Sequence, residues 1–364
     1  MASAIEIRGL YKIFGPKADA HLDAVRNGLG KAELNARTGH VLALRDVNLT
    51  MPSGRITVVM GLSGSGKSTL IRHVNRLIEP SLGAVLVDGV DVCRMSQAEL
   101  RTFRRSRTAM VFQKFALLPH RTVLENVGYG LKLQGLEGTE RTQRARRWID
   151  RVGLSGFEDR YPNQLSGGMQ QRVGLARALA TDADILLLDE AFSALDPLIR
   201  VDMQAMLLDL QRELGKTVVF ITHDLDEALR LGDRIAILRD GEVIQQGTGE
   251  AIVLRPADDY IAAFVREVNR GRRLRVGAVM TADPAPPGSP RIGSDTVLEA
   301  AVRVMLDAGS ERAEIIEAGR TVGSIGLTAA LTAMVPPSPS GEPAEIGEGL
   351  ACASAGGKDR PSSP

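Results

Sequence analysis

Cysteine, tryptophan and long apolar runs are all scarce in this sequence of 364 residues. Its two cysteines, Cys93 and Cys352, lie far apart and match no metal-binding or redox spacing. We therefore expect reduced thiols, as in a cytosolic protein. No run approaches the roughly 18 apolar residues that a bilayer-spanning helix needs, and no apolar stretch follows the N-terminus. Neither a membrane span nor a secretion signal is predicted.

An excess of charge of either sign is also absent. Lys and Arg number 45 against 44 Asp and Glu, which leaves a formal net charge of +1. This balance gives no electrostatic reason to expect nucleic acid as a partner. The length and the 44% hydrophobic content suit one large domain and one smaller domain with a sizeable core.

One stretch, GLSGSGKST, fits the phosphate-binding P-loop pattern G-x-x-x-x-G-K-[ST]. A β-branched run precedes it and an apolar segment of helical period follows it, which is the strand–loop–helix order that the pattern requires. Backbone N–H groups and the Lys67 ammonium would hold the phosphates of ATP, and the Ser68 hydroxyl would ligate Mg²⁺. A Gly/Ser-rich turn that binds nothing is disfavoured by this context. The predicted ATP-binding residues are Gly61, Leu62, Ser63, Gly64, Ser65, Gly66, Lys67, Ser68 and Thr69.

Two adjacent carboxylates, Asp189 and Glu190, follow the apolar run 185–188. Ligands of open α/β sheets bind at the carboxyl ends of the strands, so we expect both side chains beside the P-loop. Asp189 suits a ligand of Mg²⁺, and Glu190 suits the group that polarises the attacking water. Adjacent acids at a strand end are often only a solvated turn, but a P-loop on the same chain favours a site.

Strands and helices alternate through the second half of the chain. Apolar runs at 185–188, 217–221 and 235–238 alternate with helical patterns near 198–214 and 225–231. This alternation predicts an α/β fold with a mainly parallel sheet and helices on both faces. The polar, weakly periodic segment 16–40 is predicted to be an inserted helix-and-loop piece.

The sequence LSGGMQQ at 165–171 resembles the signature of the ATP-binding cassette (ABC) family. The resemblance covers about 5–269 and implies a P-loop NTPase of ABC type over residues 1–270. Such a fold combines a mainly parallel core sheet, an antiparallel β subdomain and a helical subdomain. It also implies a cassette homodimer that buries two ATP molecules, each facing the signature of the other subunit. The signature residues that would act in trans are Ser166, Gly167, Gly168 and Gln170.

Further family elements stand in the expected order. One of them is an aromatic residue that stacks on adenine. Phe14 is expected to be that residue, and Tyr11 is the alternative should Phe14 be buried. The resemblance implies catalytic roles for Lys67, Gln113, Glu190 and His223, and it adds Gln113 to Ser68 and Asp189 as Mg²⁺ ligands. The matching residues are Phe14 for the aromatic that stacks on adenine, Gln113 for the Q-loop glutamine, Asp196 in the D-loop 193–196 for a dimer contact, and His223 for the switch histidine.

Several longer stretches are similar to the ATPase subunit of bacterial importers for glycine betaine, proline and choline. They include QKFALLPHRTVLENVGYGL, EAFSALDPLIR and FITHDLDEALRLGDRIAIL. This resemblance implies transmembrane permease subunits as partners, an extracytoplasmic substrate-binding protein as an indirect one, and no nucleic acid. The chain would lie peripherally on the cytoplasmic face of the inner membrane. The resemblance also implies that other chains bind the transported amine, so no aromatic cage for it is expected in this chain, where Trp148 is the only tryptophan.

The C-terminal part follows a different pattern. Predicted elements are a short strand at 276–280, an amphipathic helix at 296–308, two strands around Gly319-Arg320 and a final helix at 327–335. Segment 271–335 resembles a single cystathionine-β-synthase-type (CBS) repeat, a small α+β regulatory lobe. Segment 336–364 is rich in Pro, Ser and Gly and is predicted to be disordered.

Two segments of the sequence are candidate binding surfaces for partners. The loop 114–119 carries Phe115, Leu117 and Leu118, which suit either a docking site for a permease helix or packing under the helical subdomain. A dense group of arginines at the junction with the C-terminal lobe suits either solvated helix faces or an anionic surface such as lipid headgroups. The junction arginines are Arg266, Arg270, Arg272, Arg273 and Arg275.

Two other functions fit parts of the sequence. A soluble ABC-class ATPase acting on nucleic acid or the ribosome is disfavoured by the balanced charge and by the single cassette without a long coiled-coil insertion. A regulatory binding module with incidental ATPase activity would require a lost carboxylate or signature, and none is lost.

Overall fold

The computed structural model of the protein describes residues 4–113 and 115–335. The predicted disordered tail, 336–364, lies outside these residues, as does Lys114. No helix within the described residues is both long and apolar enough to cross a membrane.

Strands and helices alternate along most of the described chain. The strands are β1 (Ile5–Phe14), β2 (Val41–Met51), β3 (Ile56–Met60), β4 (Leu82–Val87), β5 (Val90–Asp91), β6 (Thr108–Phe112), β7 (Ile185–Asp189), β8 (Thr217–Thr222), β9 (Arg234–Arg239), β10 (Glu242–Gly247), β11 (Arg291–Gly293), β12 (Arg312–Glu317) and β13 (Arg320–Gly326). The helices are α1 (Leu22–Arg26), α2 (Lys31–Thr38), α3 (Lys67–Val74), α4 (Gln97–Ser106), α5 (Val123–Val127), α6 (Tyr129–Leu133), α7 (Gly138–Arg151), α8 (Gly167–Ala180), α9 (Pro197–Leu214), α10 (Leu225–Leu231), α11 (Gly249–Leu254), α12 (Asp259–Val265), α13 (Arg270–Arg273), α14 (Leu298–Asp307) and α15 (Leu327–Met334).

A six-stranded sheet with the order β10-β9-β3-β8-β7-β6 forms the centre of the fold. All neighbours pair in parallel except β10, which pairs antiparallel with β9 at the edge. Val58 and Val59 of β3 belong to different apolar clusters, one on each face of the sheet. Because both faces are covered, the central strands are apolar runs buried along their whole length. The predicted mainly parallel sheet with helices on both faces is confirmed.

Two smaller units flank this sheet. An antiparallel sheet of order β2-β1-β4-β5 packs through Ile5, Leu44 and Val85 on the cluster that also holds Leu70 of α3. Helices α5, α7 and α8 form a second unit around a separate apolar cluster that includes Ile149. The predicted antiparallel and helical subdomains of an ABC-type fold are therefore present.

The inserted segment 16–40 forms a short 3₁₀ helix (Ala18–His21) followed by α1 and α2. Val25 and Leu34 are fully buried and pack against Ile13 and Leu42 from the adjoining strands. The segment thus has its own small apolar core, which holds it against the antiparallel sheet.

The C-terminal elements form a three-stranded sheet of order β11-β12-β13 that α14 and α15 accompany. The strand expected at 276–280 is wrong. Val276–Ala278 is instead a 3₁₀ helix, and the Met280 N–H donates to the Val276 carbonyl at 2.9 Å. The apolar run VGAVM has no clear period, so sequence alone does not distinguish a strand from a helical turn. The edge strand is supplied by β11, whose three residues were too few to predict.

The core of this C-terminal lobe is continuous with that of the ATPase part. One apolar cluster contains Phe220 of β8 and Leu231 of α10 together with Leu298, Met305 and Ala330 of the lobe. Each of these side chains is almost fully buried. The lobe therefore shares buried apolar surface with the central sheet.

We expect Met305→Ala to destabilise the whole protein by about 2–5 kcal/mol, because it leaves a cavity in this shared cluster. Leu306→Ala is the matched control, since Leu306 is the next residue of the helix and is 61% exposed; it should change stability by less than about 0.5 kcal/mol. Urea unfolding followed by circular dichroism measures both. Equal stability of the two variants would contradict the shared core.

Candidate active site

The P-loop connects β3 to α3 and depends on two glycines with positive φ. A Cβ on Gly61, at φ 153°, would come within 2.2 Å of the Leu238 carbonyl oxygen. On Gly66, at φ 104°, it would come within 2.6 Å of the Ala43 carbonyl oxygen. Both contacts are too short for any side chain, so the backbone of this loop can lie so close to β9 and β2 only because these positions are glycine.

Lys67, at the start of α3, folds back onto the loop. Its Nζ donates to the carbonyl oxygens of Gly61 at 2.7 Å and Leu62 at 2.9 Å, and only 4% of its side chain is exposed. Burial lowers the pKa of the Lys67 ammonium, an effect that the carboxylates of Glu190 and Asp189 oppose. The Glu190 Oε1 lies 3.9 Å from Nζ. The buried Lys67 ammonium therefore lies against the P-loop backbone, near the carboxylates of Glu190 and Asp189.

Asp189 ends β7, and its carboxylate has two partners from α3. Ser68 Oγ donates to Oδ1 at 2.7 Å, and the Arg72 guanidinium donates to Oδ2 at 3.1 Å. The Ser68 hydroxyl and the Asp189 carboxylate supply the oxygen ligands that Mg²⁺ prefers, so the residues present fit that ion. Sequence reasoning missed Arg72, because a basic residue one turn into an amphipathic helix reads as a solvated position.

Glu190 lies at the point where several strand ends meet. Its φ is +48°, a left-handed conformation that is uncommon outside glycine. Gln113, after β6, donates its Nε2 to Glu190 Oε2 at 3.2 Å and to Ser193 Oγ at 3.2 Å. His223, after β8, holds its Nδ1 3.7 Å from the same Oε2. Lys67, which follows β3 through the P-loop, approaches the same carboxylate. Side chains that follow three different strands thus converge on Glu190.

The two candidate aromatics differ in environment. Phe14, at the end of β1, is 39% exposed, and its strand partner Val41 is 45% exposed. Lys12 Nζ lies 4.9 Å from the centre of the Phe14 ring. Tyr11 is partly buried against the apolar core of the inserted segment. Of the two, Phe14 is the aromatic available to a flat ligand.

The inserted segment also contacts the P-loop, which the sequence did not indicate. Lys31 Nζ, at the start of α2, donates to the Gly64 carbonyl oxygen at 3.1 Å and lies 3.9 Å from the Asp240 carboxylate. The only signal available was the position of the segment directly before β2, the strand that leads into the β3–P-loop unit. The insertion is therefore part of the surroundings of the site.

The signature residues lie at the start of α8. Ser166 caps this helix, and its Oγ accepts from the Met169 N–H at 3.3 Å. Ser166 and Gly167 are exposed, whereas Gly168 is half-buried, and a Cβ there would come within 2.7 Å of the Ile199 side chain. Gln170 donates to the Leu165 carbonyl at 3.2 Å. Within residues 4–113 and 115–335, no hydrogen bond or ion pair joins these residues to the P-loop.

The D-loop residue Asp196 is exposed at the start of α9, next to Leu198, which is 81% exposed. Asp196 thus lies at an exposed surface, as the signature does.

Comparison with known proteins agrees with this geometry. Residues 44–193 match the ABC transporter family. The chain is 53% identical over 276 residues to the glycine betaine transport ATP-binding protein OpuAA of Bacillus subtilis, an alignment that covers 76% of this chain and 66% of that protein. It is 47% identical over 335 residues to the glycine betaine/proline betaine transport system ATP-binding protein ProV of Escherichia coli, covering 92% of this chain and 83% of that protein.

A solved structure also shows similarity to an ABC transporter cassette. The dimeric structure of a bacterial ABC transporter cassette superposes with a TM-score of 0.58 at 35% identity, and the match covers 67% of this chain and 98% of that one. This solved cassette therefore shares the fold of the ATPase part described above. The chain therefore belongs to the ABC transporter family and is an ABC-type ATPase that resembles the ATP-binding proteins of glycine betaine transport systems.

Proposed function

We propose that this ATPase is the energy-coupling subunit of a bacterial importer for a small quaternary amine or related osmolyte, such as glycine betaine, choline or proline. The observation that carries the ATPase part is the convergence of Lys67, Gln113 and His223 on the Glu190 carboxylate. The substrate class is supported by the names of the relatives, which are glycine betaine and proline betaine transport proteins.

We assign the following roles to the residues of the site. Phe14 would stack on the adenine, and the backbone N–H groups of residues 61–69 would hold the phosphates. The Lys67 ammonium would leave the loop carbonyls, which it now contacts, for the β- and γ-phosphates. Glu190 would accept a hydrogen bond from the attacking water, and Gln113 and His223 would orient that carboxylate and the γ-phosphate.

We also propose that Ser68, Asp189 and Gln113 hold Mg²⁺ with the nucleotide. When bound, the ion would neutralise charge on the phosphate oxygens. The Arg72 guanidinium, which now donates to Asp189, would fix the orientation of this carboxylate. Of the proposed ligands, Ser68 and Asp189 are in direct contact in the structure, whereas Gln113 contacts Glu190 and Ser193.

The active form proposed is a homodimer of cassettes. Ser166, Gly167, Gly168 and Gln170 of each subunit would face the P-loop of the other, and Asp196 would lie at the contact. The exposed backbone at the start of α8 supports this arrangement, because free N–H groups at a helix N-terminus attract a phosphate. Loss of the γ-phosphate would remove the bridging charge and allow the subunits to separate.

A groove between the central sheet and the helical subdomain is the proposed docking site for the permease. It is lined by Leu118, Tyr129 and Leu133 among other residues, and Leu133 is 53% exposed. The loop above it is held in an uncommon left-handed conformation at Phe115 and Ala116, and Arg177 donates to both of their carbonyl oxygens. Phe115 itself packs partly on the central core. The groove, rather than Phe115, is therefore the apolar surface that a permease helix would cover.

The similarity to betaine transport proteins also supports proposals about location, partners and domains. The subunit would lie peripherally at the cytoplasmic face of the inner membrane. An extracytoplasmic binding protein would act on it indirectly, and nucleic acid would not be a partner. We propose that residues 1–270 are the ATPase domain and that 271–335 are a CBS-like regulatory lobe. Its three-stranded sheet and two helices support that assignment.

We expect Glu190→Gln to bind ATP normally and to lose about a hundredfold or more of its hydrolysis rate, because the amide keeps the shape but cannot polarise water. Phosphate release and ATP binding are measured on the same sample. Glu317→Gln, an exposed position in the C-terminal lobe, is the control and should hydrolyse ATP normally. Hydrolysis by Glu190→Gln within a few-fold of the wild type would remove Glu190 from the mechanism.

Lys67→Ala should weaken ATP binding itself by at least about tenfold, since a buried cation that faces the phosphates is lost. Calorimetry with ATP and Mg²⁺ provides the measurement. Lys132→Ala, which removes an exposed ammonium from the helical subdomain, should bind as the wild type does. Unchanged affinity in Lys67→Ala would be incompatible with the proposed P-loop contacts.

Leu118→Ser combined with Leu133→Ser should abolish association with the permease and leave the basal ATPase activity of the isolated subunit within about twofold of normal, because both residues line the groove and neither contacts the site. Co-purification with the permease and uptake into vesicles are the readouts. Leu306→Ser, at an exposed position in the C-terminal lobe, should keep both permease association and uptake. Normal uptake with the double variant would exclude the groove as the docking site.

A further inference from the structure

A cavity of about 330 Å³ lies between the ATPase core and the first residues of the C-terminal lobe. We call it the arginine pocket, because five arginines line it against two carboxylates, Asp233 and Glu250. Five cations against two carboxylates give such a cavity a positive potential. The arginines are Arg55, Arg212, Arg230, Arg273 and Arg275.

Within the described residues, only three of the five arginines form an ion pair with a carboxylate. Arg55 pairs with Asp233 at 3.3 Å, Arg212 with Asp209 at 3.3 Å and Arg273 with Asp226 at 3.0 Å. Across the part of the chain that the structure describes, the side chains of Arg230 and Arg275 have neither an ion pair nor a hydrogen bond. Arg230 and Arg275, from different parts of the chain, therefore line one cavity without an ion-pair partner in that described part. The lining still carries more cations than anions, because only Asp233 and Glu250 oppose the five arginines among the described residues that line it.

The arginine pocket differs from the surface that the sequence indicated. Of the junction arginines, Arg270 is buried, and its guanidinium donates to the Val253 carbonyl at 2.9 Å. Arg272 instead pairs with Glu299 at 2.9 Å. Only Arg273 and Arg275 line the cavity, where they meet arginines from the ATPase core. The junction cluster is thus divided, and its cationic part is a recess rather than a flat patch.

The walls of the arginine pocket connect to the active site through two helices. Arg230 belongs to α10, which begins two residues after His223. Arg212 belongs to α9, which begins directly after Asp196. The pair Arg273–Asp226 already ties the junction to the first turn of α10. An occupant of the cavity would therefore contact the helices that follow both the switch histidine and the D-loop.

We propose that the arginine pocket binds a small soluble anion that carries at least two phosphate groups. The planar fork of arginine matches phosphate oxygens in a bidentate manner, and Arg230 and Arg275 both line the cavity without an ion-pair partner among the described residues. The cavity volume is within the range of small-molecule sites. A flat lipid surface is a poorer match, since the uncompensated charges lie in a recess between two lobes.

The bound anion would link the C-terminal lobe to α10. Bridging Arg230 and Arg275 would restrain the helix that begins two residues after His223, so the anion would act on hydrolysis rather than on ATP contacts.

The test uses inorganic pyrophosphate as the probe, in calorimetry on the full chain saturated with ADP so that the P-loop is filled. The wild type should bind one pyrophosphate per chain, and Arg230→Gln with Arg275→Gln should weaken this binding by at least about tenfold, because two charge-assisted contacts are lost. The matched control is Arg101→Gln with Arg303→Gln, which removes two exposed guanidinium groups that lie outside the arginine pocket.

Three outcomes would overturn the proposal: no pyrophosphate binding to the wild type, equal affinity in the Arg230/Arg275 variant, or equal loss in the control. Flotation with phosphatidylglycerol vesicles distinguishes the source of the phosphate. If the double substitution reduces vesicle binding while free pyrophosphate does not bind to the wild type, the pocket recognises a lipid headgroup and the soluble ligand is excluded. The binding measurement requires no ATP hydrolysis or transport, so it succeeds or fails separately from the proposed function.

Discussion

The active site depends on the register of four neighbouring parallel strands, β3, β8, β7 and β6. Met60 of β3 pairs with Thr222 of β8, Ile221 of β8 pairs with Asp189 of β7, and Asp189 pairs with Phe112 of β6. The four strands therefore end at nearly the same level. Each following residue or loop carries a polar group to one edge of the sheet, which is why residues far apart in sequence meet around Glu190. A slip of one residue in any strand would turn its last side chain to the opposite face.

This register also explains the backbone at Glu190. The residue follows a buried strand and precedes the turn that leads to α9, and it adopts a left-handed φ there. Its carboxylate is directed to the ends of β6 and β8, where Gln113 and His223 stand. The surrounding contacts hold a conformation that costs energy on its own, which is common where the position of a reactive group matters more than local stability.

Much of the fold could be predicted because its signals are local. The P-loop, the buried strands and the periodic helices each reveal themselves within a few residues. Arg72, Lys31 and the arginine pocket could not be predicted, because each depends on contacts between segments distant in sequence. Arg72 reaches Asp189 across 117 positions, and Arg275 meets Arg55 only through the packing of the lobe. The segment 276–280 was misassigned for a different reason, since a short apolar run without a period fits more than one structure.

The shared apolar cluster of the central sheet and the C-terminal lobe bears on how the protein is made. Every catalytic side chain proposed here precedes Asp224, whereas Leu298, Met305 and Ala330 complete the cluster that contains Phe220 and Leu231. During translation, a nascent chain therefore has all the catalytic groups while part of its core still faces water. Such a chain is a substrate for chaperones and proteases until the lobe emerges from the ribosome. A truncated product lacking the lobe would leave that apolar surface permanently in contact with water.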